Sequence, residues 1–500
     1  MIVLSNLISE HKLPYAHQRS RSGCRNGYYD IVFGGEDTDF NYTVSEPWSL
    51  KDFIVGQQAR MNRELASPAP ASQNLHHPDN RIRILRTLGY KVLSDINAVS
   101  VVMPTALIGT VLLTLRGRGV GKSELIRRVD WLSDQVRRNG GRVAHFGGAP
   151  TEIVIERGLD VLGKSLVDHV DGLPETTYFA ADRFQLSFYR NMTIHLFISE
   201  ALISAAMYMK IKQGGAPANQ EISFDDLYQQ TQFLSSLFRG EFIYPTAGLK
   251  RNLLTSLHRL EADNVLRLQK SPSERILSVG LSDQERRSGR ENYDFYCFLI
   301  WPFIESAWLA SVFLMGLMPP ITTTGTVSDT DGSAKSNQEI WLDLAKAQDT
   351  AQLLGKTLYH QGDLSYFEAV NKETLKNAFQ LFDEEGIILV RKGSRDKKTP
   401  AAMRLAEEWA PLRDATTGQI RSEGRLWAFS ERIALSRREG KNRRDGATVS
   451  DRVLRLADML GRTLYEDQRA SVVVEGKQNT NGSKKTKKKR RHGIGEKARL

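Results

Sequence analysis

The chain has 500 residues, 40% of them hydrophobic and 25% charged, which excludes a disordered or fibrous protein and suggests roughly two to four domains. Its two cysteines, Cys24 and Cys297, exclude a disulfide framework and a C-x-x-C metal site, as expected for a reducing compartment. Most of the net charge of +11 comes from residues 484–500, which contain nine Lys/Arg and one Glu, so the remaining 483 residues are together nearly neutral. We therefore expect no nucleic-acid partner for the folded body.

The first strong helix signal is Ser49-Leu50-Lys51-Asp52, which has the spacing of an N-terminal capping box. Apolar residues at helical spacing in Ser123–Arg138 predict a helix with one buried face. A leucine stripe in 249–260 precedes two short strand patterns at 265–268 and 275–279, which is the order of a helix followed by a hairpin.

The order of helix and then strand recurs at Leu375–Phe382 and Ile387–Val390. The sequence therefore predicts a mainly α fold with small β-hairpins, in which two units are winged-helix-like. Residues 319–337 are of low complexity and are interpreted as a linker or disordered loop, before a second helical, winged-helix-like unit at 338–473. Residues 474–500 are too polar to pack and are predicted to form a disordered polybasic tail.

Two apolar runs are long enough to cross a membrane as helices. Ile96–Leu115 contains no charge, but its polar, proline and glycine residues, among them Asn97, Pro104 and Gly109, favour a helix buried in a core. Phe295–Met318 contains Glu305 as its one charged residue. For this second run the sequence leaves a core helix, an interfacial helix and a membrane span open.

A phosphate-binding loop is suggested by Gly117-Arg118-Gly119-Val120-Gly121-Lys122-Ser123. The P-loop pattern requires glycine at position 116, where the chain has Arg116, so we interpret Ser123 as the cap of a helix instead. The ten histidines are scattered and none has partners at ligand spacing. We expect neither a metal nor a cofactor.

Several blocks of sequence carry a resemblance to a known family. They are the segments Glu46-Pro47-Trp48-Ser49-Leu50, Leu88–Leu113, Tyr189–Ala206 (YRNMTIHLFISEALISAA), Phe233–Phe242 and Asn292–Pro302. In this order they resemble the C-terminal region of the glycerol-3-phosphate and dihydroxyacetone-phosphate acyltransferases. The match covers roughly residues 44–395, with 44–318 as the helical C-terminal region of an α/β acyltransferase and 1–43 as a poorly matched segment.

The resemblance implies acyl transfer from acyl-CoA to the sn-1 hydroxyl of a three-carbon phosphate. Family members use the histidine of an H-x4-D motif as the general base, and an arginine-bearing block holds the phosphate. In this chain only His258 has an aspartate, Asp263, five positions later. On a continuous helix these two side chains would point about 140° apart, so we predict no catalytic residue in this chain and no effect of His258→Ala on activity.

A remnant of the phosphate-binding block is predicted at Arg19-Ser20-Arg21-Ser22-Gly23. Arg19 and Arg21 could bind a phosphate, and segment 1–43 would then be a remnant of the catalytic domain. The alternative is a solvated basic loop.

The sequence therefore indicates an acyltransferase-family chain whose own activity stays open. The alternatives are a catalytically inert regulatory protein that binds membranes or acyltransferase subunits and, less favoured, a winged-helix nucleic-acid binder. The seven Lys/Arg of 484–491 would add about 1 kcal/mol each to attachment at an anionic membrane surface. Ala498-Arg499-Leu500 resembles a peroxisomal targeting signal, which an import receptor reads. We therefore expect a membrane-associated protein of the dihydroxyacetone-phosphate branch in the peroxisome; the alternative location is another intracellular membrane.

Overall fold

The computed structural model describes residues 29–30, 41–42, 47–64, 78–114, 119–144, 148–317, 340–393, 400–438 and 449–468. They belong to two compact units, Met1–Val101 with Gly141–His145, and Val102–Gly140 with Phe146–Leu500. Within both units helices dominate and the sheets have two or three strands, so the predicted mainly α fold with small β-hairpins is confirmed.

The helices, in chain order, are α1 (Leu50–Glu64), α2 (Pro78–Val99), α3 (Pro104–Thr114), α4 (Lys122–Arg138), α5 (Thr151–Leu162), α6 (Arg183–Ile211), α7 (Phe224–Leu237), α8 (Leu249–Ala262), α9 (Asp283–Ser288), α10 (Glu291–Met315), α11 (Leu344–Gln361), α12 (Lys372–Glu384), α13 (Arg425–Leu435) and α14 (451–468). The strands are β1 (Tyr29–Asp30), β2 (Asn41–Tyr42), β3 (Val101–Val102), β4 (Val120–Gly121), β5 (Arg142–Val143), β6 (Val167–Val170), β7 (Thr177–Ala180), β8 (Ile222–Ser223), β9 (Leu266–Lys270), β10 (Ile276–Leu281), β11 (Leu342–Asp343), β12 (Ile388–Arg391) and β13 (Ala402–Leu405).

In the first unit, α1 begins at the predicted capping box, where the Asp52 backbone N–H donates to Ser49 Oγ at 3.2 Å. The residue before the cap, Trp48, ties this end of α1 to α2. Its Nε1 donates to Asp95 Oδ2 at 2.9 Å, and its ring lies 5.5 Å from the Phe53 ring. The pair α1 and α2 is thus joined through one aromatic side chain.

The second unit is built from three copies of one motif. Each copy has a two-residue strand, two helices and a β-hairpin, and the first strand pairs antiparallel with the second strand of the hairpin. The strand orders are β4-β7-β6, β8-β10-β9 and β11-β13-β12. We call these the first, second and third winged units.

Apolar helices alternate with the winged units and form the core. Helix α3 packs against the helices of the first winged unit, α6 against those of the second, and α10 against those of the third. The same helices pack on one another, α3 on α6 and α6 on α10, and α13 covers α10. Each winged unit therefore packs on the apolar helix that precedes it.

The sequence predicted two winged units, and the described residues contain a third, at 120–180. Its opening strand has two residues, and two four-residue strands form its hairpin. The helix predicted at Ser123–Arg138 is confirmed as α4, and the predicted helix and hairpin of 249–279 are confirmed as α8, β9 and β10.

The run Ile96–Leu115 is not a single helix, which corrects the prediction. α2 ends at Val99, and Pro104 opens a new helix, α3, because proline fits the first turn of a helix but cannot continue one. The buried core position predicted for the run is confirmed for α3, whose residues 106–113 are all buried.

The second apolar run lies in α10. By length and composition, α6 and α10 are the two described helices that could cross a membrane. In their most apolar 18-residue stretches, 72% and 94% are buried within the protein. α10 includes Pro302, and all but four of its 25 residues are buried. In this structure the run Phe295–Met318 is a core helix over its described length.

Candidate functional site

The segment that resembles a phosphate-binding loop leads into the first winged unit, where its residues 120–123 form β4 and the start of α4. In the second and third units the residue before the helix caps it, since Ser223 Oγ accepts from Asp226 N and Asp343 Oδ1 from Lys346 N, both at 3.1 Å. At the corresponding place in the first unit stands Gly121, which has no side chain to do so.

A carboxylate of the hairpin replaces the missing cap. Glu175 Oε2 accepts the Ser123 backbone N–H at 2.9 Å and Oε1 accepts the Ser123 hydroxyl at 3.0 Å. A Cβ at position 121 would lie 1.9 Å from Glu175 Oε1, so a larger residue there would displace this carboxylate. Ser123 is therefore not the helix cap that was predicted. The place that a phosphate would occupy holds the protein's own carboxylate.

His258 and Asp263 do not form a catalytic pair in this structure. His258 Nδ1 lies 3.7 Å from Glu261 Oε2, and the His258 side chain is 57% exposed. Asp263 Oδ1 instead accepts from Arg138 Nη1 at 2.7 Å. Because the aspartate does not hold the imidazole, this pair lacks the orientation that a general base needs.

A histidine that the sequence did not single out lies in a groove of about 400 Å³ between α5 and the hairpin β6–β7. His169 Nε2 is 3.4 Å from Asp171 Oδ2, and Nδ1 is 3.9 Å from Asp168 Oδ1. The D-H-V-D pattern at 168–171 was the available signal. Since the groove is formed by α5 and a hairpin, the sequence could not show that Asp160 and Lys164 also line it.

The charges of this groove do not suit a phosphate. Asp160, Asp171 and Glu156 line it against a single cation, Lys164. A phosphorylated substrate would be repelled by such an excess of carboxylates. The groove therefore lacks the means to hold a three-carbon phosphate.

A second cleft, of about 190 Å³, opens between α6, α7 and α8. Apolar and hydroxyl side chains line it, among them Leu202, Ser235 and Thr231, and no charged residue is among the lining. The Thr231 hydroxyl is buried and has no hydrogen-bond partner among the described residues. This cleft can hold a small uncharged group, and it offers neither a base nor a phosphate-binding cation.

The conspicuous block Tyr189–Ala206 lies in the core, on α6. The Arg190 side chain is 2% exposed, its Nη2 donates to Asn191 Oδ1 at 3.0 Å, and its Nη1 lies 4.0 Å from Glu368 Oε1. Burial lowers the pKa of Arg190, and the nearby Glu368 opposes this shift. Burial also lowers the pKa of His195. The block thus shapes the packing of α6.

Glu305 is fully buried on α10 and binds the segment after α11. Its carboxylate accepts the backbone N–H of Ser365 at 2.9 Å and of Tyr366 at 2.9 Å, and Arg437 Nε lies 3.4 Å from it. The carboxylate of Glu305, the one acidic residue of the apolar run, therefore has a structural role as the acceptor of backbone hydrogen bonds.

The remaining predicted site residues lie outside the described residues. They are Arg19, Arg21 and the terminal Ala498, Arg499 and Leu500. Among the residues that the structure does describe, no group of three or more histidine, cysteine or acidic side chains is placed to hold a metal ion.

Comparison with known proteins identifies the family. Residues 42–391 match the model of the glycerol-3-phosphate acyltransferase C-terminal region. The chain is 21% identical to a "Probable glycerol-3-phosphate acyltransferase, mitochondrial" of Caenorhabditis elegans over 321 residues, which is 61% of this chain and 41% of the relative. Proteins named "Glycerol-3-phosphate acyltransferase 1, mitochondrial" match at 25% identity in Sus scrofa (39% of this chain, 28% of the relative) and 22% in Bos taurus (51% and 34%).

The region shared with this family thus includes α3, α6 and α10, the first two winged units, and the third winged unit as far as β12. The chain belongs to the glycerol-3-phosphate acyltransferase family, as its sequence blocks predicted. It spans 28–41% of the length of these curated relatives.

Proposed function

We propose that the chain serves acyl transfer from acyl-CoA to glycerol-3-phosphate as the C-terminal region of the acyltransferase, together with a polypeptide region that carries the H-x4-D base. The observation that carries this proposal is the match of residues 42–391 to the glycerol-3-phosphate acyltransferase C-terminal region. The separation of His258 from Asp263, whose carboxylate pairs with Arg138, supports a base supplied by another region. The clefts at His169 and at Thr231 agree with it, since the first is acidic and the second has no charged lining residue.

A transfer assay with labelled acyl-CoA tests the proposal. The purified chain is expected to give no turnover alone, and turnover when mixed with the part of the Caenorhabditis elegans relative that it does not match. His258→Ala should leave that turnover unchanged, because His258 is an exposed helix residue.

Turnover by the chain alone would contradict the proposal, and a hundredfold loss in His258→Ala without unfolding would restore that histidine as the base. If the mixture is inactive while the chain still binds the relative, the catalytically inert regulatory function is favoured instead.

The acceptor and the compartment are separate proposals. The names of the relatives support glycerol-3-phosphate, whereas the terminal Ala498-Arg499-Leu500 supports the dihydroxyacetone-phosphate branch and a peroxisomal location. Running the assay with both acceptors decides the first question, and a higher kcat/KM for glycerol-3-phosphate is expected.

We also infer that the basic residues of 484–491 attach the chain to an anionic membrane surface. This attachment is electrostatic, so it should weaken as salt is raised.

A further inference from the structure

Helix α2 carries an exposed apolar face. Five apolar residues on one face of α2 are 41–62% exposed, and the exposed Gly89 lies between them. We call this set the apolar arc; it consists of Ile82, Leu85, Gly89, Val92, Leu93 and Ile96. At 100° per residue they fall within about 100° of the helix circumference, and they run for about 21 Å along it. An apolar face of this size that stays open to solvent marks an interaction surface.

The opposite face of α2 is held by α1 and the residue that precedes it. Lys91 and Asp95 lie on that face, where Asp95 accepts from Lys91 Nζ and from Trp48 Nε1, and Lys91 Nζ lies 5.5 Å from the centre of the Trp48 ring. These contacts fix the rotation of α2 about its axis. The apolar arc is therefore directed away from α1.

Arginines border the apolar arc. Around the helix axis, Arg81 lies about 20° beyond Val92 at one edge of the apolar arc, and Arg86 lies about 20° beyond Leu93 at the other edge. Arg83 lies farther along the side of Arg86, and all three are exposed. The planar guanidinium binds phosphate oxygens with two hydrogen bonds, so this border complements a surface of phosphate groups.

Six charged residues in the 22 of α2 exclude a membrane span, and the helix is not among those apolar enough to cross. An amphipathic helix with a basic border lies in the plane of the interface, with its apolar face at the boundary of headgroups and acyl chains. We propose that α2 docks on an anionic lipid surface, with the apolar arc inserted and Arg81, Arg83 and Arg86 on the lipid phosphates. This surface is separate from the tail and from the acyl-transfer proposal.

Co-sedimentation with phosphatidylcholine vesicles, with and without phosphatidylglycerol, tests the proposal. All proteins are full-length chains in which the seven Lys/Arg of 484–491 are replaced by Gln, so that the tail does not contribute. Replacing Ile82, Leu85, Val92 and Ile96 by Ser should lower binding to the anionic vesicles at least about tenfold. The matched control replaces Leu277 and Leu353, which are 53% exposed and lie outside α2, by Ser, and should bind as the parent does.

A gain-of-binding variant covers the case in which the serine variant does not fold. A Cβ at Gly89 would meet no atom within 4 Å, so Gly89→Leu extends the apolar arc without a clash. It should bind anionic vesicles severalfold more tightly than the parent. Gly56→Leu, at an equally open position of α1, controls for the general gain in helix propensity.

Equal vesicle binding by the folded serine variant and the parent would overturn the proposal, as would a Gly89→Leu chain that binds no better than Gly56→Leu. Sedimentation velocity tests whether a second copy of the chain, instead of lipid, covers the apolar arc. If the parent self-associates and the serine variant does not, with vesicle binding unchanged, the apolar arc joins two copies of the chain and the lipid proposal is wrong.

Discussion

Glu305 shows how a single charged residue can be kept in an apolar helix. Its carboxylate is entirely buried, yet two backbone N–H groups and the guanidinium of Arg437 surround it. The guanidinium of Arg437 also lies 3.7 Å from the centre of the Trp308 ring. Removing one member of such a buried set leaves the others without compensation.

Glu305→Ala should therefore lower the free energy of unfolding by about 3–5 kcal/mol, because the two N–H groups lose their acceptor and the Arg437 guanidinium loses the opposite charge of its ion pair. Glu305→Gln should cost less, since the amide oxygen still accepts. Urea unfolding followed by circular dichroism measures both variants. Lys372→Ala, in an exposed pair with Asp349, is the control and should change stability by less than about 1 kcal/mol. If Glu305→Ala lowers the free energy of unfolding no more than the control does, the buried carboxylate is not required for stability.

At the scale of elements, the end of α10 and helix α14 meet through two glycines. A Cβ at Gly316 would lie 2.0 Å from the carbonyl oxygen of Ala457, and a Cβ at Gly461 would lie 1.8 Å from the carbonyl oxygen of Gly316. The Tyr465 hydroxyl donates to the carbonyl oxygen of Leu317 at the same junction. The close approach of these two backbones requires that neither position carries a side chain.

Gly461→Ala should destabilise the chain by about 1–3 kcal/mol, because the added methyl group forces α14 away from α10. Gly56→Ala is the matched helix control. Its Cβ meets no atom within 4 Å, so the gain in helix propensity should stabilise the protein by up to about 1 kcal/mol. Thermal unfolding of the two variants should thus give shifts of opposite sign, and a stabilising Gly461→Ala would refute the close packing.

Sequence patterns revealed some elements of this fold and missed others for physical reasons. The stripes of α4 and α8 were detectable because one face of each helix is buried. Strands β4, β8 and β11 have two residues each, too few for a periodic signal, and only their pairing with a distant hairpin defines them. The groove at His169 was missed for the same reason, since its acidic and basic groups come from elements that tertiary structure brings together.

For the whole molecule, the predicted address at the C-terminus and the names of the relatives point to different compartments. A fluorescent protein that ends in residues 484–500 should enter peroxisomes if Ala498-Arg499-Leu500 is read by an import receptor, and a version without Leu500 should not. Microscopy with a peroxisomal marker measures this. A mitochondrial, nuclear or diffuse signal from the intact tail would remove the address.

The threefold winged motif also bears on how the chain acquires its structure. Each copy packs on the helix that immediately precedes it, and α3, α6 and α10 also pack on one another although they are far apart in the chain. The local packing of each copy favours stepwise folding during synthesis, beginning with α3 and the first winged unit. The duplicated arrangement also means that native-state hydrogen exchange should divide the second unit into successive cooperative blocks, each centred on α3, α6 or α10.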